Sequence, residues 1–285
     1  MIGKLYFIII SAVLLLAFED AYAQTAKSLF WRSASLQVVE IISDVPDKCS
    51  DVGHNGPAVE NSHIALCLYF NDSGAIDLYS KRGRGMELNR YHWYPSADAR
   101  EAGGAGCDVY EVGGTLGFGG FALWDGENVI RLEATKGRTA RVGDTKRGSF
   151  AEIIAYGVPY MGDMVDVSIR IDVSAKTRDA AVTATELSGK KIQFLSGLNH
   201  HPGQKVTSGE EYISVWGDHP GDGIDITVGA GLRFSQKDFP TLEKTDDMVR
   251  IISRPASQVR TTLTGASVME AELNSAKRFE AYIAQ

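Results

Sequence analysis

The hydrophobic pattern begins with an apolar run. Lys4 precedes it, residues 5–18 are broken only by Tyr6 and Ser11, and Ala21-Tyr22-Ala23 closes it. A positive start, a run shorter than the ~20 residues of a membrane span and a small-x-small end mark a signal peptide over residues 1–23. No later run is apolar and long enough to span. The expected product is a periplasmic or secreted protein beginning near Gln24. No cysteine stands directly after the cleavage point, which argues against a lipoprotein anchor.

From there the pattern has a period of two. Residues 35–42 alternate into a first strand, and 63–70 and 75–79 flank the turn Asn71-Asp72-Ser73-Gly74 as a hairpin. Residues 86–94 read as another strand, ended by Pro95. Residues 121–124 and 129–133 flank Asp125-Gly126-Glu127-Asn128 as a second hairpin. Strands follow over 149–158, 165–173, 180–186, 192–198, 212–216, 224–228 and 242–252. Short strands at regular spacing between turns point to an antiparallel sandwich or barrel. Only residues 266–283 change period. Val268, Leu273, Ala276, Phe279 and Ile283 recur every three to four positions, which predicts a helix. The expectation is an all-β protein, a large antiparallel β-sandwich with a C-terminal helix. With no linker, repeat or charge block to divide them, residues 24–285 read as a single β-sandwich domain.

Composition narrows the partners. The formal net charge is −7, and losing one lysine and two acids with residues 1–23 leaves −6. That excess of acid speaks against a general nucleic-acid binder. Of the three cysteines, Cys67 lies in an apolar strand and reads as a buried thiol. Cys49 and Cys107 lie in polar, Gly-rich loops. In an oxidising compartment they are the pair expected to form a disulfide, if geometry permits. No Cys-x-x-Cys exists for a zinc site.

Against the acidic background, residues 80–94 stand out. Lys81, Arg82, Arg84 and Arg90 precede or enter Tyr91-His92-Trp93-Tyr94. Positive groups hold a carboxylate or sulfate, an imidazole moves protons near neutral pH, and aromatic faces stack on sugar rings. The plain alternative is an exposed turn whose charges keep a sheet edge soluble. His200-His201-Pro202-Gly203 and Asp218-His219-Pro220-Gly221-Asp222 are polar loops after strands, where function tends to sit. His63 reads as structural, and His54 stands open. The glycines of residues 112–121 lack the Gly-Lys-Ser/Thr and following helix of a phosphate loop, and read as close backbone approach. His-x-His, His-Glu-x-x-His and Gly-x-Ser-x-Gly are absent. No metal site is assigned and no cofactor is required by the sequence, although a divalent cation at Asp218, His219 and Asp222 stays open.

Several blocks together resemble a known family. They are Gly56-Pro57-Ala58-Val59-Glu60-Asn61, Ala75-Ile76-Asp77-Leu78-Tyr79-Ser80-Lys81-Arg82, Tyr91-His92-Trp93-Tyr94, residues 108–117, Ala122-Leu123-Trp124-Asp125 and Trp216-Gly217. They are similar to a secreted bacterial domain-of-unknown-function family. Its genes sit beside unsaturated glycuronyl hydrolases and polysaccharide lyases in pectin and ulvan utilisation loci. The chain departs from the pattern at Ser80, where glycine is usual, and at Arg82, where lysine is usual. The resemblance spans residues 56–229. It implies an acidic oligosaccharide substrate containing a uronic acid, on a sandwich of the galactose-mutarotase-like kind.

On that implication the first reading is a lyase or dehydratase acting by β-elimination. Lys81, Arg82 or Arg90 would neutralise the carboxylate. His92 or His200 would take the C5 proton, and Tyr94 or Tyr91 would protonate the leaving oxygen. Trp93, His201 and Trp216 would line the sugar subsite. The alternatives are a non-catalytic acidic-glycan-binding module, a uronate epimerase or mutarotase-like enzyme, and a structural surface protein. Oligomeric state is not readable.

Overall fold

The computed structural model describes residues 24–44, 49–102, 104–220, 224 and 226–285. The signal-peptide expectation at 1–23 and Asp222 lie outside the described residues. Among those described, the alternating pattern becomes nineteen strands. The first eight are β1 (Thr25–Ser28), β2 (Glu40–Ser43), β3 (Ala58–Asn61), β4 (Ile64–Leu68), β5 (Ile76–Ser80), β6 (Cys107–Asp108), β7 (Phe118–Trp124) and β8 (Val129–Ile130). Four long strands follow, β9 (Arg138–Asp144), β10 (Gly148–Tyr160), β11 (Asp163–Ser174) and β12 (Ala180–Glu186). The rest are β13 (Gln193–Asn199), β14 (Lys205–Ser208), β15 (Tyr212–Asp218), β16 (Thr227–Arg233), β17 (Thr241–Lys244), β18 (Met248–Ile252) and β19 (Gln258–Ser267). Three α-helices appear among them, α1 (Leu88–Tyr91), α2 (Ala97–Glu101) and α3 (Ala276–Ile283).

The strands form three antiparallel sheets. One has nine strands in the order β14-β15-β16-β19-β12-β11-β10-β9-β2. Two have five, β1-β3-β4-β5-β6 and β17-β18-β13-β7-β8. A parallel bridge from Ile76 to Gly117 joins the two smaller sheets. Gly117 has φ of 62°, and a Cβ there would lie 2.4 Å from the Ile76 carbonyl oxygen. Only glycine lets the two backbones meet in that conformation, which gives the Gly-rich run its role. The joined pair packs against the nine-stranded sheet. One core takes Leu66 and Leu78 from the first small sheet, Phe121 and Phe194 from the second, and Ile153, Ile169 and Leu263 from the large one. The expected large antiparallel sandwich with a C-terminal helix is the architecture found.

Burial explains the different strand signatures. In the nine-stranded sheet, β12 alternates between fully buried and half-buried positions, one face on the core and one toward water. In β3, β4, β5 and β7 every residue is buried. Their outer faces are covered too. Leu88 and Trp93 lie on Ala58, Ala65, Cys67 and Tyr79, while Leu116 and Met248 lie on Ala122 and Leu195.

Three expectations change. Residues 86–94 are not a strand. Glu60 on β3 accepts hydrogen bonds from the backbone N–H groups of Glu87 and Leu88. A carboxylate at that point satisfies the orphan donors of a helical turn, α1. His92 and Trp93 then take left-handed backbone, with φ of 48° and 73°. The C-terminal helix is shorter than 266–283, because β19 runs through Ser267 and α3 begins at Ala276. Finally, Cys107 is a buried free thiol, paired as backbone with Ser80 in the sheet. The expected Cys49–Cys107 disulfide is not formed. Burial pushes the Cys107 thiol up to about 11, so it is neither ionised nor reactive at neutral pH.

Candidate active site

Period two sets which side chains leave the core. On β5, Ile76 and Leu78 point inward, so Asp77 and Tyr79 point to the outer face of the first small sheet. Tyr69, just past β4, reaches Asp77 from the other arm of the hairpin, its hydroxyl donating to Oδ2 at 3.0 Å. Asp108 pairs with Tyr79 across β6 and so joins the same face. Tyr69, Asp77 and Asp108 line a cavity of about 220 Å³ with Tyr110, Glu111 and His219.

The floor of the cavity is Asp77. It is only 4% exposed. Its Oδ1 accepts from the Leu78 N–H at 2.8 Å. Burial first, and the negative charge of Asp108 second, push its carboxyl well above the usual carboxylate range. Two carboxyl groups in one poorly solvated site do not both ionise readily, which favours the acid form of Asp77. The same surroundings raise the Tyr69 phenol far above its ordinary value, by burial and then by Asp77.

One wall is a hydrogen-bonded cluster from the ends of β13 and β15. The Tyr110 hydroxyl donates to Asn199 Oδ1 at 2.5 Å, and Asn199 Nδ2 donates to the Glu111 carbonyl at 2.6 Å. His201 Nε2 donates to that same carbonyl at 3.2 Å. His219 Nδ1 accepts from the Glu111 N–H at 3.2 Å, which leaves the proton of the neutral ring on Nε2. Burial, then His201, lowers the His219 imidazole to about 3, so it stays neutral and serves as a donor. The His201 and His219 rings lie 5.0 Å apart, edge to face.

Tyr94 neighbours the site through Asp108 and is hydrogen-bonded to Arg32. Tyr94 is 51% exposed. Burial first and Asp108 second raise its phenol to about 12, against a hydrogen bond with Arg32 that lowers it. Arg32 is exposed and held by the Val52 carbonyl at 3.1 Å and Asn55 Oδ1 at 2.8 Å. A held but exposed guanidinium is suited to a carboxylate ligand.

The residues singled out from sequence divide in two. Tyr94 and His201 belong to this region. His92 is exposed beside it, its ring 5.1 Å from Phe30 and 6.5 Å from His54. His200 faces away, with Nε2 donating to the Thr245 carbonyl at 3.2 Å. Lys81 is withdrawn from solvent. Its ammonium binds Glu60 Oε1 at 2.5 Å, the Asn61 carbonyl at 2.9 Å and the Gly85 carbonyl at 2.6 Å. A cation with its donors engaged in the interior does not receive a substrate carboxylate. Arg82 lies toward Met269, with Nη2 3.9 Å from the sulfur, and lines a different cavity with His63 and Glu272. Arg90 is exposed and sits over the Tyr91 ring.

One aromatic expectation is corrected. Trp93 is 1% exposed and packs on Tyr79 and His54, so it is a wall beneath the surface and not a stacking platform. Trp216 is half-buried and packs on Phe279 of α3, with ring centroids 5.6 Å apart, away from the residues that line this cavity. Among the described residues no group of three or more His, Cys, Asp or Glu side chains is placed to hold a metal ion.

Sequence reasoning missed Arg32, Tyr69, Asp77, Asp108 and Glu111, and placed His219 in a polar loop without assigning it a role. One signal was present. Asp77 interrupts the apolar strand Ile76-Asp77-Leu78, and an acid in a strand buried on both faces needs a reason.

Fold and cavity define a two-layer antiparallel β-sandwich protein with a buried carboxyl, Asp77, in an open cavity. The chain belongs to the DUF4861 family, a domain of unknown function, whose model matches residues 20–285. No curated protein matches it. Among solved structures, similar chains include the 4-alpha-glucanotransferase of Thermococcus litoralis, at 13% identity and a TM-score of 0.36. That match covers 82% of this chain and 42% of the glucanotransferase. Another is a protein provisionally named an aldose 1-epimerase, from Klebsiella pneumoniae, at 7% identity and a TM-score of 0.40. It covers 91% of this chain and 94% of that one. No helix among the described residues is long and apolar enough to cross a membrane.

Proposed function

We propose that the protein is a carbohydrate-processing enzyme that performs β-elimination at a uronic acid residue of an oligosaccharide. The observation that carries this reading is Asp77, a carboxyl buried in an open cavity, where burial and Asp108 push its pKa up. Removing the C5 proton of a uronate puts negative charge on C5 and into its carboxylate. A donor aimed at that carboxylate lowers the barrier. A carboxylic acid kept neutral by its surroundings supplies such a donor. Arg32, beside Tyr94, supplies the balancing charge, in the role the sequence suggested for Lys81.

In this reading Asp108 takes the C5 proton. Tyr94, kept as a phenol by its raised pKa, gives its proton to the oxygen leaving C4. The C5–H and C4–O bonds break, C4=C5 forms, and the leaving oxygen departs as water or as a sugar hydroxyl. The Nε2–H of His219 and the ring of His201 face a hydroxyl of the same sugar. The uronate substrate rests on the family resemblance and on Arg32. Residues 1–23 add export to the periplasm or beyond.

The test mixes protein with a panel of uronate oligosaccharides. It records the far-ultraviolet absorbance of a C4=C5 uronate, with mass spectrometry of products. Absorbance with loss of one water identifies a dehydratase, and absorbance with chain shortening a lyase. Arg32→Ala and Tyr94→Phe are expected to abolish the signal. Proton exchange at C1 or C5 seen by NMR, with no absorbance, would replace elimination by the epimerase or mutarotase-like reading. Binding alone would leave a glycan-binding module.

A further inference from the structure

A second cavity, of about 340 Å³, lies on the outer face of the other five-stranded sheet. The two cavities adjoin. Val112 and Gly113 line the first, while Gly114, Thr115 and Leu116, the next residues of the same turn, line the second. The His200-His201 dipeptide straddles them. His201 bonds to the Glu111 carbonyl on one side, and His200 bonds to Thr245 and Asp247 on the other.

The second cavity has an apolar floor of Leu116, Leu195 and Met248, beside Trp124 with the Arg250 guanidinium 4.9 Å from its ring centroid. Its rim carries the Arg131 guanidinium and the Asp247 carboxylate, to which the Thr245 hydroxyl donates at 2.8 Å. An apolar floor with a mixed polar rim matches a pyranose, whose C–H face is apolar and whose edge carries hydroxyls. Charge narrows the choice. Arg131 is already matched by Asp72 at 2.8 Å and Arg250 by Glu243 at 2.7 Å, and Asp247 adds a further negative group. The rim has no excess positive charge to hold a second carboxylate.

We infer that this cavity is a subsite for a neutral pyranose linked to the uronate in the first cavity. The inference rests on the uronate reading above and adds the substrate class, a glycan in which uronate and neutral sugars are joined.

The experiment is calorimetric titration of the protein with three probes: a monomeric uronate, a uronate linked to a neutral hexose, and a uronate dimer. Val129, 43% exposed at the cavity rim, is changed to Trp to fill it, and Arg250→Ala opens its wall. Thermal melts verify that each variant folds. The mixed disaccharide is expected to bind about tenfold tighter than the monomer, about 1.4 kcal/mol. Val129→Trp and Arg250→Ala should each remove that gain and leave monomer affinity unchanged. An equal gain for the uronate dimer, no gain for the mixed disaccharide, or a gain that survives both variants would overturn the inference. Because the readout is binding, tight length-dependent binding without turnover would sink elimination and leave the subsite standing. Lack of affinity for any uronate would sink both.

Discussion

Asp77 shows how a single side chain changes chemistry with its surroundings. In water it would be an ordinary carboxylate. In this site burial and Asp108 favour the acid form. The sign for stability follows. A carboxyl whose pKa rises on folding holds its proton while the unfolded chain loses it, so its contribution to stability falls as pH climbs above the ordinary 3.8. Asp77→Asn imitates the protonated form and keeps an acceptor for Leu78 N–H. Its melting temperature should exceed that of the parent by a few degrees at pH 8 and match it at pH 4. Its amide N–H still offers a donor to the substrate carboxylate, so turnover should fall by less than about tenfold, whereas Asp77→Ala, which removes the donor, should lose at least about a hundredfold. Scanning calorimetry at the two pH values, with the absorbance assay, checks both. A variant with lower stability at pH 8 would mean that Asp77 is ionised. The sequence displayed Asp77 as an acid in an apolar strand, yet basic and aromatic residues drew the functional reading. Their side chains are conspicuous as types, whereas their burial cannot be read from type.

At the scale of elements, residues 80–94 illustrate that limit. The residues were read correctly as a special stretch, but for the wrong reason. Tyr79, Lys81 and Glu87 turn inward to a buried polar cluster around Glu60. Glu87 Oε2 also accepts from Gly106 N–H at 2.8 Å, tying the two loops together. The Lys81 and Glu60 side chains are 1% and 0% exposed. Removing one partner from such a pair strands the other's charge, at a cost of about 3–5 kcal/mol. Lys81→Ala should therefore lower the urea midpoint sharply. Paired replacement by Lys81→Met and Glu60→Gln should recover part of the loss, since no charge is then left alone. If Lys81→Ala instead kept its stability and lost only substrate affinity, the carboxylate-binding role expected from sequence would return. The helical period at the chain end was readable in the same way. Phe279 and Ile283 do meet the sheet over Gly229 and Gly231, but the helix starts late because residues up to Ser267 complete β19.

Across the whole molecule, acid sensitivity gathers in three histidines. Burial lowers His54 to about 3, His63 to about 4 and His219 to about 3, from an ordinary 6.5. Each stays neutral in the fold while the unfolded chain takes a proton, so the histidines' contribution to stability is full above about pH 6.5 and declines as pH falls toward 3–4, against the smaller opposite contribution of Asp77. Asp72, held low by Arg131, adds its own loss only below its ordinary 3.8. A melting profile from pH 8 to pH 4 should show the decline beginning near 6.5. His54→Gln, which keeps a polar group for Ser28 Oγ, should make it shallower. A profile flat down to pH 4.5 would contradict this. By itself, the sequence determined the all-β class, the hairpins around residues 71–74 and 125–128 and the closing helix. Alternation and turn residues act between near neighbours, so each stretch of chain carries its own evidence. Only the tertiary structure decided that Arg32, Tyr69, Asp77, Asp108 and His219 share one region while Lys81 and Trp93 are enclosed. Whether a polar side chain is a ligand, an acid or a strut depends on solvent and partners, and distant strands supply both.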